Sequence, residues 1–139
     1  MAEHTELKEG IAITVGLDTD DKNRMWAEDF LLDPPPTKLW LTIKNIGDKV
    51  VEFRLPSRAK GCFVIVDNEK RRLWTHPDHA AHGANDFRLE PGEVYEKRMD
   101  APWNRVFIKP EAEHILAGWL NGHPHLSTSV RFSLSIKNK

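Results

Sequence analysis

Strict alternation of apolar and polar residues marks several short stretches of the chain. The clearest runs are residues 10–18, 38–53 and 127–137. Because successive side chains of a strand point to opposite faces of a sheet, each run predicts a strand with one buried face. The second run breaks at Asn45-Ile46-Gly47-Asp48, and Asn, Gly and Asp favour tight turns, so residues 38–53 predict a β-hairpin on which the other strands pack.

Apolar runs and turn residues predict the remaining strands. Residues 62–67 (CFVIVD) form an almost wholly apolar run, typical of a central strand buried on both faces, and a turn then leads into a second hairpin with residues 71–75. Shorter strands are predicted at 87–89, pairing across a Pro-Gly turn with 94–99, and at 105–108. Asn121-Gly122 favours a hairpin between residues 113–120 and the last strand.

Residues 19–36 interrupt this strand pattern. The segment begins in an acidic cluster and ends in three consecutive prolines, which cannot pair within a sheet. Trp26 and Phe30 are four residues apart and would share one side of a short helical turn. We expect an excursion whose two rings cover one end of the protein; a ligand-binding lid is the alternative.

Eight or nine short strands with almost no helix are typical of an all-β protein. We therefore predict an immunoglobulin-like antiparallel β-sandwich forming a single domain over residues 1–139. A closed barrel is the alternative that the pattern leaves open. The serine and lysine residues on the outer face of the last strand suit a strand exposed to solvent.

Composition narrows the classes of partner and compartment. The 139 residues include 20 basic and 21 acidic side chains, a net charge of −1, so neither nucleic acid nor a membrane is an expected partner. A single cysteine, Cys62, excludes an intramolecular disulfide. Since the N-terminus lacks a secretory signal and no apolar run approaches a membrane span, we expect a cytoplasmic protein.

Five segments stand in an order that is also found in a known family. They are LTIKNIGDKVVEF, CFVIVD, RRLW, DF and LEPGE, between residue 39 and about residue 103. This half of the chain resembles the BsuPI-like family of intracellular proteinase inhibitors. The resemblance implies an immunoglobulin-like sandwich and a role in binding a protein partner such as an intracellular serine protease. No reactive-loop residue carries over, because the loop after Trp74 and the segment before Leu39 depart from the family pattern.

The predicted function is non-catalytic binding of a protein, through a rigid loop if the protein is a protease inhibitor. The candidate loops span residues 76–86 and 121–126. The candidate partner-binding residues are His76, Asp78, His79, His82, Trp103, His123 and His125. We expect no catalytic residue and no cofactor, because the serines lie in turns or on an exposed strand and Cys62 lies within an apolar run.

Two other functions remain open at this stage. His76, His79 and His82 are spaced by three residues and could supply imidazole ligands to zinc, copper or nickel, although polar loop decoration is the simpler explanation. The second alternative is an assembly domain that associates through an exposed edge strand.

Two tryptophans have an uncertain position. Trp40 alternates with Leu39 and Leu41, so it points away from the core. It is either covered by the excursion that carries Trp26 or exposed as a partner-binding anchor. Trp103 lies in a predicted turn, where burial and recognition are likewise both possible.

Overall fold

Only strands give the fold its regular structure. The computed structural model describes residues 1–77 and 83–137, and this part of the chain forms eleven strands and no helix. In chain order they are β1 (Ala2–Lys8), β2 (Ile11–Leu17), β3 (Arg24–Ala27), β4 (Lys38–Asn45), β5 (Val51–Leu55), β6 (Gly61–Val66), β7 (Arg72–His76), β8 (Asn85–Leu89), β9 (Val94–Asp100), β10 (Glu113–Leu120) and β11 (His123–Ile136).

Two large sheets enclose the core. A four-stranded sheet has the order β1-β2-β4-β9, and a five-stranded sheet has the order β3-β11-β10-β6-β7. Every pair is antiparallel except β3 with β11, which is parallel. Gly118 lets the sheets approach closely, since a Cβ at this position would lie 2.9 Å from Leu41 Cδ1 and 3.2 Å from Val15 Cγ2. The predicted all-β, immunoglobulin-like sandwich is confirmed, with more strands than the sequence indicated.

The alternating runs entered the core as predicted. Ile11, Ile13, Val15 and Leu17 of β2 are fully buried, and so is Leu134 of β11. The predicted hairpins β6–β7 and β10–β11 are also confirmed. In each of these pairs the two consecutive strands are neighbours in one sheet, as the turn between them indicated.

The hairpin predicted for residues 38–53 is wrong. β4 pairs with β2 and β9, whereas β5 pairs with β8 in a separate two-stranded sheet. Asn45 is fully buried and donates from Nδ2 to the backbone oxygens of Lys49, at 2.7 Å, and Leu89, at 3.0 Å. Its amide thereby ties the end of β4 to the end of β8, and the chain turns away from the four-stranded sheet.

The β5–β8 pair crosses one end of the sandwich. It runs from Asn45 to the β10–β11 turn, where Gly122 has a φ of 80° and a Cβ would lie 2.5 Å from Pro56 Cδ. The predicted hairpin between residues 87–89 and 94–99 is also wrong, because β8 joins β5 and β9 joins β4. We call the end of the sandwich that the β5–β8 pair crosses the crossed end. The opposite end, which we call the open end, carries the connections at residues 18–23, 28–37, 67–71 and 101–112.

The excursion of residues 19–36 contains a strand at Trp26, where a helical turn shared with Phe30 was predicted. β3 pairs Trp26 with Ser135 of β11, and strand alternation buries Met25 and Ala27 while Trp26 points outward. Trp26 and Phe30 therefore do not share one side. Residues 105–108 are likewise not a strand, because the backbone turns at Pro102, whose oxygen accepts from the amide of Arg105 at 2.9 Å.

Candidate functional site

The first predicted loop is described only at its ends. His76 closes β7 and its ring stacks on Trp74 at a centroid distance of 5.8 Å. Asp78, His79 and His82 lie outside the described residues, so the three-histidine metal site stays a prediction. Among residues 1–77 and 83–137, no group of three histidine, cysteine or acidic side chains could hold a metal ion.

The second predicted loop lies against β5 at the crossed end. His123 Nε2 lies 2.8 Å from the backbone oxygen of Arg54, and Arg54 pairs in register with Asp86, the last residue of the first loop. The centroid of the His123 ring lies 5.1 Å from that of Phe53, in an edge-on arrangement, and 5.9 Å from that of His125. His123 is thus occupied by the backbone and a ring of β5, while His125 is exposed.

Trp103 is not an exposed anchor. Only 8% of the residue is accessible, and its ring lies 5.7 Å from Phe30 and 6.2 Å from Phe132. The turn that carries Trp103 folds over the open end, so the indole fills the core there. This burial removes Trp103 from the surface that a partner could contact.

Trp40 is covered, but by elements other than the excursion. Its indole lies against Gly16 on the outer face of the four-stranded sheet, and the Arg98 guanidinium lies 4.9 Å above the ring. Nε1 donates to Glu3 Oε2 at 2.8 Å. Because Glu3 belongs to β1, the N-terminal strand completes the cover and Trp40 is scaffold.

Two exposed leucines lie at the open end in residues 28–37, a segment that contains three prolines and that we call the proline-bounded loop. Leu31 and Leu32 at its tip are 74% and 85% exposed. Asp29 Oδ1 accepts from the amides of Leu31, at 3.1 Å, and Leu32, at 3.2 Å, while the amide of Asp33 donates to Asp29 O at 2.9 Å. The tip is therefore a closed turn on which two leucine side chains are exposed to solvent.

Both sides of the proline-bounded loop are fixed. Phe30 is 4% exposed and anchors the loop beneath the two leucines. On the other side, three prolines restrict the backbone, and the hydroxyl of buried Thr37 donates to Pro35 O at 3.0 Å. A loop held in this way loses little conformational freedom when a partner binds.

A shallow cavity of about 250 Å³ lies beside the loop. Its lining residues include Trp26, Arg24, Asp20, Pro35 and Pro36. Trp26 Nε1 donates to Asp20 Oδ2 at 2.8 Å, and the Arg24 guanidinium lies 4.8 Å above the indole. The bond from Trp26, with further bonds from the Arg24 and Lys22 amides, lowers the pKa of the Asp20 carboxyl to about 2. An aromatic face and fixed charges thus adjoin the proline-bounded loop at Pro35 and Pro36.

Two side chains capable of acid–base or nucleophilic chemistry, His114 and Cys62, are buried. His114 is 1% exposed, its Nδ1 lies 3.0 Å from Ala112 O, and burial lowers its pKa. Cys62 is 5% exposed, and burial raises the pKa of its thiol. A thiol of raised pKa is protonated at neutral pH and is a poor nucleophile.

Comparison with known proteins identifies no family for the chain. No protein-family model matches it, and no curated protein matches it. Among solved structures, it is similar to the β-glucosidase EmGH1 from Erythrobacter marinus, with a TM-score of 0.41 and 14% sequence identity. The similarity covers 86% of this chain and 15% of the enzyme, so the chain spans a small part of that protein's length. A similarity of this size carries no argument about function.

The sequence pattern did not single out Leu31 and Leu32. The available signal was an apolar pair between Asp29, a residue that caps turns, and three prolines. Because apolar residues usually indicate burial, the segment suggested a plug for the core. Phe30 does serve as that plug, and the two leucines that follow it point outward.

No helix among the described residues is long and apolar enough to cross a membrane.

Proposed function

We propose that this chain is a non-catalytic protein-binding module whose proline-bounded loop contacts the partner. The proposal rests on one observation: Leu31 and Leu32 are largely exposed on a turn that is closed by Asp29 and anchored by Phe30. The specific form of the proposal is inhibition of a cytoplasmic serine protease. The resemblance of residues 39 to about 103 to the BsuPI-like intracellular proteinase inhibitors supports protease inhibition, whereas the choice of the proline-bounded loop rests on its exposure and its closed turn.

Two exposed leucines on a fixed loop suit a protease cleft. Serine proteases differ in the pocket that receives the side chain before the cleaved bond, and an apolar pocket accepts a leucine. The tip is a closed turn rather than an extended segment, since the Asp33 amide bonds to Asp29 O. The loop would therefore occupy the cleft as a plug, without presenting an extended peptide bond to the nucleophile.

The contribution of each leucine to binding affinity can be tested with single substitutions. Replacing a buried leucine by alanine removes three carbon atoms, and about 0.8 kcal/mol per carbon gives about 2 kcal/mol. That corresponds to about 30-fold in affinity. Leu31→Ala and Leu32→Ala should each weaken binding by this order, and Leu7→Ala is the matched control because Leu7 is 67% exposed on β1 at the crossed end.

The experiment is a titration of the pure protein into serine proteases with apolar and with basic specificity pockets. Residual activity is followed for the unchanged protein and the three variants. We expect inhibition of the apolar-pocket class, lost in Leu31→Ala and Leu32→Ala and retained in Leu7→Ala. Absence of inhibition with absence of any protease captured by the protein would end the specific form. Equal effects of all three variants would remove the loop from the proposal.

A further inference from the structure

One large apolar surface lies outside the core. Ile115, Ala117 and Trp119 of β10 stand directly beside Val66, Val64 and Cys62 of β6 in the β10–β6 register. Their neighbours Leu116, Gly118 and Leu120 are buried between the sheets, so these six side chains face the other side of the five-stranded sheet. None of the six belongs to the core cluster of the described residues or packs against it. We call this grid the outer apolar face.

This composition is unusual for an antiparallel sheet in water. Such sheets usually carry polar residues on the side that does not contact the core. Here two neighbouring strands are apolar on both sides, and five of the six side chains are partly exposed; the sixth, Cys62, is 5% exposed. The apolar run 62–67 predicted a strand buried on both faces, and residues 1–77 and 83–137 supply only one of the two covers.

The charges around the outer apolar face favour one arrangement of the missing cover. Arg131 and Arg72 flank the row of Ile115 and Val66, whereas the flanking position beside Trp119 is the uncharged Ser127. Ser129 and Thr75 flank the middle row of Ala117 and Val64. The charge is therefore confined to one edge of the face, where Arg131 Nη1 also pairs with Glu113 Oε1 at 3.5 Å.

We propose that the cover is a second copy of this chain, stacked face to face about a two-fold axis perpendicular to the strands. The axis passes over Ala117, so the row that contains Ile115 in one copy faces the row that contains Trp119 in the other copy. Each arginine row then lies over the partner's Trp119 row, where a guanidinium can rest against an indole. The alternative axis, parallel to the strands, would keep the row order and set Arg131 over the partner's Arg72, so neither guanidinium would face the partner's Trp119 row.

The face is small for a permanent dimer. Four strands about 4.8 Å apart and five residues at about 3.4 Å each give a projected area of roughly 300 Å². Stable complexes bury about 800 Å² on each partner, so we expect a weak, reversible dimer with a Kd on the order of 100 µM. The association uses a sheet face, unlike the edge-strand assembly that the sequence suggested. Lys97 of edge strand β9 points inward and donates to Gly61 O at 3.3 Å, an arrangement that discourages pairing at that edge.

The test is sedimentation equilibrium of the full chain from about 10 µM to 1 mM, the range in which a dimer of this strength forms. Ala117→Arg places a charge at the two-fold axis and should give a monomer at every concentration. Ala12→Arg is the matched control, because Ala12 lies on the solvent side of β2 in the other sheet and is also partly exposed. The control should dimerise like the unchanged protein.

A milder variant guards against a failure of Ala117→Arg to fold. Val64→Thr with Ile115→Thr keeps β-branched side chains and should weaken the dimer at least tenfold. In the unchanged protein, amide chemical shifts should change with concentration at Val64, Ala117 and Trp119 and stay constant on β2. A chain that is monomeric at 1 mM would overturn the proposal, as would a dimer that survives Ala117→Arg. Protease inhibition uses other residues, so each proposal can fail without the other.

Discussion

The contact between Gly16 and Trp40 offers a sharp test of the packing. Gly16 stands in β2 with Trp40 directly opposite in β4. A Cβ on Gly16 would lie 2.5 Å from both Cε2 and Cζ2 of the indole and 2.7 Å from Nε1, distances at which atoms overlap. The backbone of a strand tolerates alanine, so the substitution Gly16→Ala acts entirely through the indole, which must leave its site.

The loss of stability expected for Gly16→Ala follows from the burial and the hydrogen bond that the Trp40 indole loses. Trp40 is 4% exposed, and tryptophan buries about 150–250 Å². Re-exposing about 100 Å² at about 25 cal/mol/Å² costs about 2.5 kcal/mol. Loss of the Nε1 bond to exposed Glu3 adds about 1 kcal/mol, and the gain from replacing glycine in a strand returns about 0.5–1 kcal/mol. The net destabilisation is about 3 kcal/mol, which for a domain of this size lowers Tm by about 10 °C.

The sign of the effect should depend on the residue at position 40. In a Trp40→Leu background the indole atoms that overlap the new methyl are absent, because the leucine side chain is too short to reach their positions. Gly16→Ala should then be neutral, or stabilising by up to about 1 kcal/mol, through the lower entropy of the unfolded chain. Urea unfolding of the four proteins, followed by far-ultraviolet circular dichroism, gives the double-mutant cycle, with a coupling energy of about 3 kcal/mol.

Two results would refute this reasoning. One is a loss of less than about 1 kcal/mol for Gly16→Ala in the unchanged background, which would mean that the indole moves at little cost. The other is additivity, in which Gly16→Ala costs the same whether residue 40 is tryptophan or leucine. Additivity would place the cost in the β2 backbone, and Trp40 would then have no part in it.

Two further predictions concern single polar groups. An NMR titration should give Asp20 a pKa of about 2, and Trp26→Phe should raise that pKa toward 3.8, because the indole bond is the largest cause of the shift. The stability that this carboxylate contributes is present above pH 3.8 and is lost as the pH falls toward 2; a pKa unmoved by Trp26→Phe would contradict the assignment. Asn45→Asp should destabilise the fold by about 2–4 kcal/mol in urea unfolding, because a carboxylate would replace the donor facing Leu89 O. Asn104→Asp, at an exposed position, is the control, and equal losses in the two variants would exclude the role of Asn45.

Alternation predicted which side chains enter the core, because it reports the two faces of one strand. Ile13, Val15, Leu39 and Phe132 lie where this periodicity places them. Hairpins were predictable when the turn alone decides the pairing, as at Asn121-Gly122. These features depend on residues within about ten positions of each other, and a single sequence contains that information.

Strand partners that depend on distant residues were not predictable. Asn45-Ile46-Gly47-Asp48 marks a change of direction, and the sequence cannot show whether the next strand returns to the same sheet. The choice is made by the Asn45 amide, which bonds to Leu89 O, 44 residues further on. Strand β1 was missed because only Ala2 of its seven residues is buried, so it has little apolar periodicity.

The candidate site was missed for a related reason. Exposure of Leu31 and Leu32 follows from the side chain of Asp29, which accepts two backbone amides and turns both leucines away from Phe30. A hydrophobicity pattern ranks the three apolar residues alike. Of the candidate histidines, His123 is committed to the scaffold, since its Nε2 lies against Arg54 O.

The same device recurs across the open end and explains why binding is expected there. Asp20 accepts the amides of Lys22 and Arg24, and Asp67 accepts those of Glu69 and Arg71, in the manner of Asp29 in the proline-bounded loop. Each carboxylate closes a turn without regular secondary structure, so three connections are ordered before any partner arrives. Because ordering loops is a main cost of association, fixed turns let exposed apolar side chains contribute most of their burial to affinity. The open end therefore joins the two properties that a binding surface needs, exposed apolar groups and a backbone that is already in place.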